Sequence, residues 1–161
     1  MKAAYFGTFE PFQNYHLDIL KKASEIFESV DIAITINSQT RKYYNFIDCK
    51  RIIQDIILNE GIKNCNVECN YGLNIKYCEE RNIDYIIRGF KEKMNIQTEC
   101  ELLAINKAIY DKTKTLYLVS DIPYISSGTL IEIVRNGIDA TTYIPKDFLE
   151  YMKMYETSRK S

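Results

Sequence analysis

Short apolar runs alternate along the chain with longer segments in which apolar residues recur every three or four positions. Lys2-Ala3-Ala4-Tyr5-Phe6 is short and mostly apolar and reads as a buried first strand. From about Tyr15, residues Leu17, Leu20, Ala23 and the pair Ile26/Phe27 fall on one helical face. The run 30–36 is rich in β-branched residues and predicts a second buried strand. Asp48 opens a helix with Ile52, Ile53, Ile56 and Ile57 on one stripe, stopped near Gly61. A weak strand over 66–70, a short helix over 73–81 and a clear strand over 83–87 follow, the last ending at Arg88-Gly89. The spacing then predicts a helix from about Thr98 to Tyr110, with Leu102, Ile105 and Ile109 in line, and a fifth strand over 115–119. A helix over 127–136 is closed by Gly137, and Pro145 begins the last helix. Residues 158–161 are expected to fray.

Five strands alternating with helices predict an α/β fold: a doubly wound, five-stranded parallel sheet in a single domain over residues 1–157. Ligands of such sheets bind outside the carboxyl ends of the strands. That rule brings segments 7–16, 37–42, 71–74, 88–91 and 121–127 to one crevice. They carry Thr8, His16, Arg41, Lys42, Arg88, Lys91, Ser126 and Ser127, all able to bind phosphate. The convergence of these residues, more than any one of them, points to an anionic ligand.

Composition narrows the picture. A length of 161 residues suits one domain, and 46% hydrophobic with 27% charged residues is ordinary for a globular protein. A net charge of −1 gives no basic footprint for nucleic acid, and no apolar stretch approaches the ~20 residues of a spanning helix. With no basic, apolar leader at Met1, the chain is expected to be soluble and cytoplasmic. Five cysteines are an odd number, and one histidine with no Cys-x-x-Cys pair argues against a structural zinc, so no protein metal site is expected and the thiols read as free and buried.

The turn after the first strand carries the most chemistry. In Gly7-Thr8-Phe9-Glu10-Pro11-Phe12-Gln13-Asn14-Tyr15-His16-Leu17, Gly7 allows close backbone approach, Pro11 bars regular structure and Asn14 is a candidate N-cap. His16, the only histidine, falls in the first helical turn beside unpaired N–H groups and the positive end of the helix dipole, where phosphate is the usual guest.

A strand, then Gly-Thr-Phe-Glu-Pro, a short loop and His16-Leu17-Asp18 opening a helix resembles the nucleotidylyltransferase superfamily, whose fold is Rossmann-like. Within it the chain is similar to bacterial phosphopantetheine adenylyltransferases. That family has [TH]-x-G-H in this turn; here Gln13 and Tyr15 replace two of the three fixed positions. The Tyr15 ring is expected to turn outward along the first helical turn. Ile86-Ile87-Arg88-Gly89-Phe90 resembles the family's [VI]-R-G-[LF], and the spacing to Glu99 and Asn106 also agrees. Lys91 stands where an arginine is usual, and Thr98 where an aromatic is common. Ile125-Ser126-Ser127-Gly128 resembles the family's I-S-S-[ST], with Gly128 in place of the third hydroxyl and Glu132 and Arg135 fitting further along.

The resemblance implies an adenylyltransferase acting on ATP with Mg2+, in which a phosphorylated acceptor attacks the α-phosphate and pyrophosphate leaves. The phosphate nucleophile is already ionised at neutral pH, so positioning and charge stabilisation suffice. His16 is expected as donor to the α-phosphate, Thr8 and Lys42 as orienters of the nucleophile, and Arg88 as anchor of the acceptor phosphate. The loop lysine is best matched by Lys42, with Arg41 second and Thr40 by direct counting. Phe9, Gly89, Phe90, Lys91, Glu99, Ile122, Pro123, Tyr124, Ile125, Ser126, Ser127 and Gly128 complete the implied ATP site with Thr8 and His16, and Leu73 and Asn74 join the acceptor site. The implied acceptor is phosphopantetheine and the implied assembly a homohexamer. A relative with another phosphorylated acceptor, or a non-catalytic nucleotide-binding module, is the alternative.

Overall fold

The middle of the molecule is the strand that comes first in sequence. In the computed structural model, which describes residues 1–36 and 43–160, β1 (Lys2–Gly7) buries four consecutive residues, 3–6. A strand with no solvent face needs neighbours on both edges and cover on both faces. Its edges pair in parallel with β2 (Ser29–Thr35) and β4 (Tyr85–Gly89). Outside these lie β3 (Cys65–Asn70) and β5 (Lys114–Leu118), giving the all-parallel order β3-β2-β1-β4-β5. The predicted doubly wound, five-stranded parallel sheet is therefore the observed one.

The faces follow from the alternation of β1. Ala3 and Tyr5 join a large core with residues of α1 (Asn14–Ile26), α2 (Phe46–Asn59), α5 (Ser127–Arg135) and α6 (Lys146–Lys160). Ala4 and Phe6 face a smaller core with Ile75, Tyr77 and Cys78 of α3 (Asn74–Arg81). α4 (Ile96–Ile109) lies beside α3. The chain leaves β1 towards β2 on one side and returns through β4 on the other. Register pairs Tyr5 with Ile87, and both strands end two residues later, at Gly7 and Gly89. Their shared end is the switch point where such sheets bind ligands.

Several boundaries differ from expectation. α1 is capped by Gln13, not Asn14: the Gln13 carbonyl accepts the first helical bond, from Leu17 N–H at 3.0 Å. Asn14 instead donates to the carbonyls of Thr141 and Thr142, at 3.1 and 3.0 Å. α2 begins at Phe46, before Asp48, because the Asn45 side chain accepts from the N–H groups of Ile47 and Asp48. β4 begins at Tyr85, two residues late, because Ile83 N–H closes α3 onto Cys78 O at 2.9 Å over a left-handed Asn82. α6 continues to Lys160, so residues 158–160 are helical where fraying was expected. The stripe on α4 is present, but none of its residues is buried. Cys49, Cys65 and Cys78 are buried, Cys69 is half-buried and Cys100 is exposed, so the expectation of buried thiols fails at Cys100. No helix among the described residues is long and apolar enough to cross a membrane.

Candidate active site

A cavity of ≈ 950 Å³ opens over the carboxyl ends of β1 and β4. Its walls are the turn after β1, the first turn of α1, the segment from Arg88 through Glu99, and the loop from β5 to Ser127. The close packing of the turn after β1 explains Gly7. A Cβ there would lie 2.8 Å from the Phe9 ring, so the approach that glycine permits is that of an aromatic side chain. Phe9 adopts a φ of 51° and packs edge-on against Tyr5, Phe12 and His16.

His16 is buried in this aromatic nest. Burial, helped by the nearby Lys91 charge, pushes its imidazole down to about 3, so it is neutral at physiological pH. Gln13 N–H donates to His16 Nδ1 at 3.0 Å. A neutral imidazole with Nδ1 accepting carries its proton on Nε2. The ring is therefore an N–H donor in the cavity wall.

The two residues that break the motif are both engaged. The buried Gln13 side chain donates from Nε2 to Ile125 O at 2.7 Å and accepts from Ile125 N–H at 3.2 Å. Tyr15 does not turn outward. Its ring is 2% exposed, and its hydroxyl donates to Phe90 O at 3.0 Å. An outward ring would forfeit this burial and the edge contacts with His16 and Tyr124, at centroid distances of 5.4 and 5.3 Å. Burial, then the neighbouring Tyr124, pushes the hydroxyl up to about 12, keeping it a donor. Gly89 is the counterpart: a Cβ there would lie 2.2 Å from the Tyr15 hydroxyl oxygen.

Arg88 leaves the end of β4 and forks onto Glu99, Nε meeting Oε2 at 3.1 Å and Nη2 meeting Oε1. Tyr117 donates to the same Oε2 at 2.8 Å. Burial raises the Glu99 pKa, but the Arg88 and Tyr117 hydrogen bonds and the neighbouring positive charge outweigh it and hold the carboxyl below its usual range. Arg88 and Glu99 also line a second, largely apolar cavity of ≈ 340 Å³, bordered by Leu73, Asn74, Leu102 and Asn106. The ion pair thus stands between the two cavities.

On the far wall Ser126 caps α5, its Oγ accepting from Thr129 N–H at 3.4 Å. Capping and anion binding are compatible at a helix start. Lys91 lies over the Tyr124 ring, 3.8 Å from its centroid. Burial, then the Arg88 charge, lowers its pKa, with Glu99 opposing.

Thr8, Phe9, His16, Arg88, Gly89, Phe90, Lys91, Glu99, Ile122, Pro123, Tyr124, Ile125, Ser126 and Ser127 all border the larger cavity. Gly128 does not, although it follows directly in α5. Leu73 and Asn74 line the smaller cavity and not the larger. Lys42, Arg41 and Thr40 lie outside the described residues. Sequence reasoning missed a clamp behind the site. Asp18 accepts from Ser120 Oγ at 2.8 Å and Asp121 N–H at 2.9 Å, and Lys22 donates to Val119 O at 2.9 Å. It also missed Glu10, whose Oε1 accepts from the N–H groups of Tyr43 and Tyr44, both at 3.1 Å. The signal for Asp18 was available in the His16-Leu17-Asp18 triplet.

The cytidylyltransferase-like family model matches residues 4–133, from β1 into α5 and across every wall of the larger cavity. The chain belongs to the cytidylyltransferase-like family. Among relatives of this family member, a phosphopantetheine adenylyltransferase of Campylobacter jejuni is 28% identical over 155 residues, 95% of this chain and 97% of its own. Another, of Leptospira biflexa, is 30% identical over 145 residues, 89% of each chain. A solved structure described as a nicotinate-nucleotide adenylyltransferase, from Vibrio parahaemolyticus, superposes with a TM-score of 0.69 at 16% identity, covering 94% of this chain and 97% of that one. That likeness concerns the fold. Family and relatives together make the chain a nucleotidyltransferase.

Proposed function

We propose that this nucleotidyltransferase transfers the adenylyl group of ATP to 4′-phosphopantetheine, giving dephospho-coenzyme A and pyrophosphate. The observation that carries the reading is the pair of cavities meeting at Arg88 and Glu99. The larger has cations, a helix start and an imidazole donor, which suit a triphosphate. The smaller is bordered by Leu73, Leu102, Leu103 and Ile109 and suits the weakly polar arm of a pantetheine. The relatives named phosphopantetheine adenylyltransferase support the same acceptor.

An acceptor phosphate oxygen attacks the α-phosphorus of ATP as the bond to the bridging oxygen breaks and pyrophosphate departs. His16 Nε2–H donates to the α-phosphate oxygens as their charge grows, and its lone-pair nitrogen Nδ1 is already taken by Gln13 N–H, so the ring acts as donor and not as base. Lys91 and the start of α5 hold the departing pyrophosphate. Arg88 meets the acceptor phosphate, with two of its donors committed to Glu99 and fixing its plane. Thr8 and Lys42 orient the nucleophile. Mg2+ would supply charge neutralisation. The ion would be held chiefly by the triphosphate and its waters, as magnesium keeps several waters beside substrate phosphates. The enzyme would act in the cytoplasm as a homo-oligomer, a hexamer by resemblance.

Pyrophosphate release from ATP, measured with phosphopantetheine, nicotinate mononucleotide and other phosphorylated acceptors, tests the reading. Phosphopantetheine is expected to support turnover, and His16→Ala to lower it by ~10²–10³. Turnover only with nicotinate mononucleotide would refute the acceptor, and ATP binding with no turnover would favour a non-catalytic module.

A further inference from the structure

Gln13 and Tyr15 stand where the resembled family has other residues, and each reaches a different wall of the larger cavity. Gln13 holds Ile125 through both its N–H and its carbonyl, and Ile125 is followed by Ser126, the cap of α5. The Gln13 main chain meanwhile sets the His16 tautomer. One buried residue therefore links the histidine to the helix start opposite. Tyr15 holds Phe90 O, while Phe90 N–H donates to Leu118 O at 2.8 Å, so the Phe90 backbone is tied to both α1 and β5. The next residue is Lys91, whose ammonium rests on Tyr124, and the Tyr124 ring packs against Tyr15.

We propose that Gln13 and Tyr15 are positioning residues that brace the two phosphate-binding walls to α1, fixing the spacing of His16, Lys91 and the α5 start before a triphosphate arrives. The proposal rests on the nucleotidyl-transfer reading but not on the acceptor. Each brace is a part-buried hydrogen bond to main chain rather than to a ligand. Walls held in place lose less freedom on binding, and a displacement of about 1 Å in such a site can cost ~10² in rate. A family glycine at position 15 would leave Phe90 O without its present donor; tyrosine supplies both the donor and the volume that closes the wall.

The test uses Tyr15→Phe, which deletes one oxygen, and Gln13→Met, which keeps the length and removes both polar atoms. Inorganic tripolyphosphate binding by calorimetry, nucleotide and acceptor KM, and melting temperature are read for both. Each variant is expected to weaken tripolyphosphate binding and raise nucleotide KM by about 3- to 10-fold, the range of a lost hydrogen bond, with acceptor KM within twofold. The double variant should lose less than the product of the singles, because both braces order the same site. A lowered melting temperature with tripolyphosphate affinity unchanged would reduce the two residues to packing and overturn the proposal. So would wild-type protein that does not bind tripolyphosphate. Should Gln13→Met not fold, Tyr15→Phe decides alone. Wild-type binding of tripolyphosphate without turnover on any acceptor would defeat the proposed reaction and leave the braces to be judged by the binding data.

Discussion

At the scale of single residues, burial keeps His16 neutral. An imidazole of ordinary pKa would be partly charged near neutrality; this one sits at about 3 because its surroundings are apolar and Lys91 is near. The sign of the consequence is fixed. Below about pH 6.5 the unfolded chain takes up a proton that the native ring refuses, so native stability falls as pH drops, until about pH 3. The slope is ~1.4 kcal/mol per pH unit, so the native state should lose ~2 kcal/mol between pH 6.5 and 5 on this account. His16→Gln, which does not titrate, should lack this loss in urea unfolding at the two pH values. Parallel losses in both proteins would show that the imidazole is not held neutral. In the rate, no inflection from His16 is expected between pH 5 and 8, since the donor form persists throughout.

At the scale of elements, α1 and β4 meet through one contact that neither segment announces. Gly89 ends β4 with no room for a methyl group, because the rigid Tyr15 side chain occupies that space. Gly89→Ala should destabilise the protein by about 1–3 kcal/mol, the usual cost of overpacking. In a Tyr15→Leu background the penalty should shrink, and a double-mutant cycle by urea unfolding measures the coupling; additive losses would mean the strain lies elsewhere. This contact also marks where sequence reading stops. Strands such as 30–36 were legible because their β-branched runs have no other use, and the doubly wound sheet followed from alternation alone. The turn could be placed, and a strand-end rule plus resemblance named Arg88, Lys91, Ser126 and His16, which border one cavity. The direction of Tyr15 was not legible, because its space is created by Gly89 and Tyr124, 74 and 109 residues away. Gln13 as cap was missed because glutamine is an uncommon N-cap. Its role here depends on a histidine answering it from the first helical turn and on Ile125 across the crevice. The Arg88–Glu99 pairing was hidden behind two separately assigned roles. The late start of β4 was hidden because Ile83 is apolar enough for a strand but serves the end of α3.

At the scale of the whole molecule, α4 is the part that a single chain leaves unfinished. Ile96, Leu102, Leu103, Ile105 and Ile109 are all exposed, from 37% to 71%, and no residue of this helix is buried. A helix with large apolar residues facing both its own sheet and solvent is stable when something covers it. The second cavity lies beneath the same helix and is open in one chain. A second copy seated on α4 would cover the apolar residues and complete the border of the smaller cavity in one step. A net charge of −1 sets little repulsion against that association. Ile105, 55% exposed and on the cavity border, is the residue to change. Burying an isoleucine contributes ~1.5–3 kcal/mol, and a glutamate in its place adds a desolvated charge. Ile105→Glu is therefore expected to convert an oligomeric wild type into smaller species in sedimentation velocity. Acceptor KM should rise tenfold or more while tripolyphosphate affinity holds, because the larger cavity takes only Thr98 and Glu99 from the first turn of α4 and does not reach Ile105. A wild type that sediments as a monomer at tens of micromolar, or a variant of unchanged size, would show that α4 is not covered by another copy.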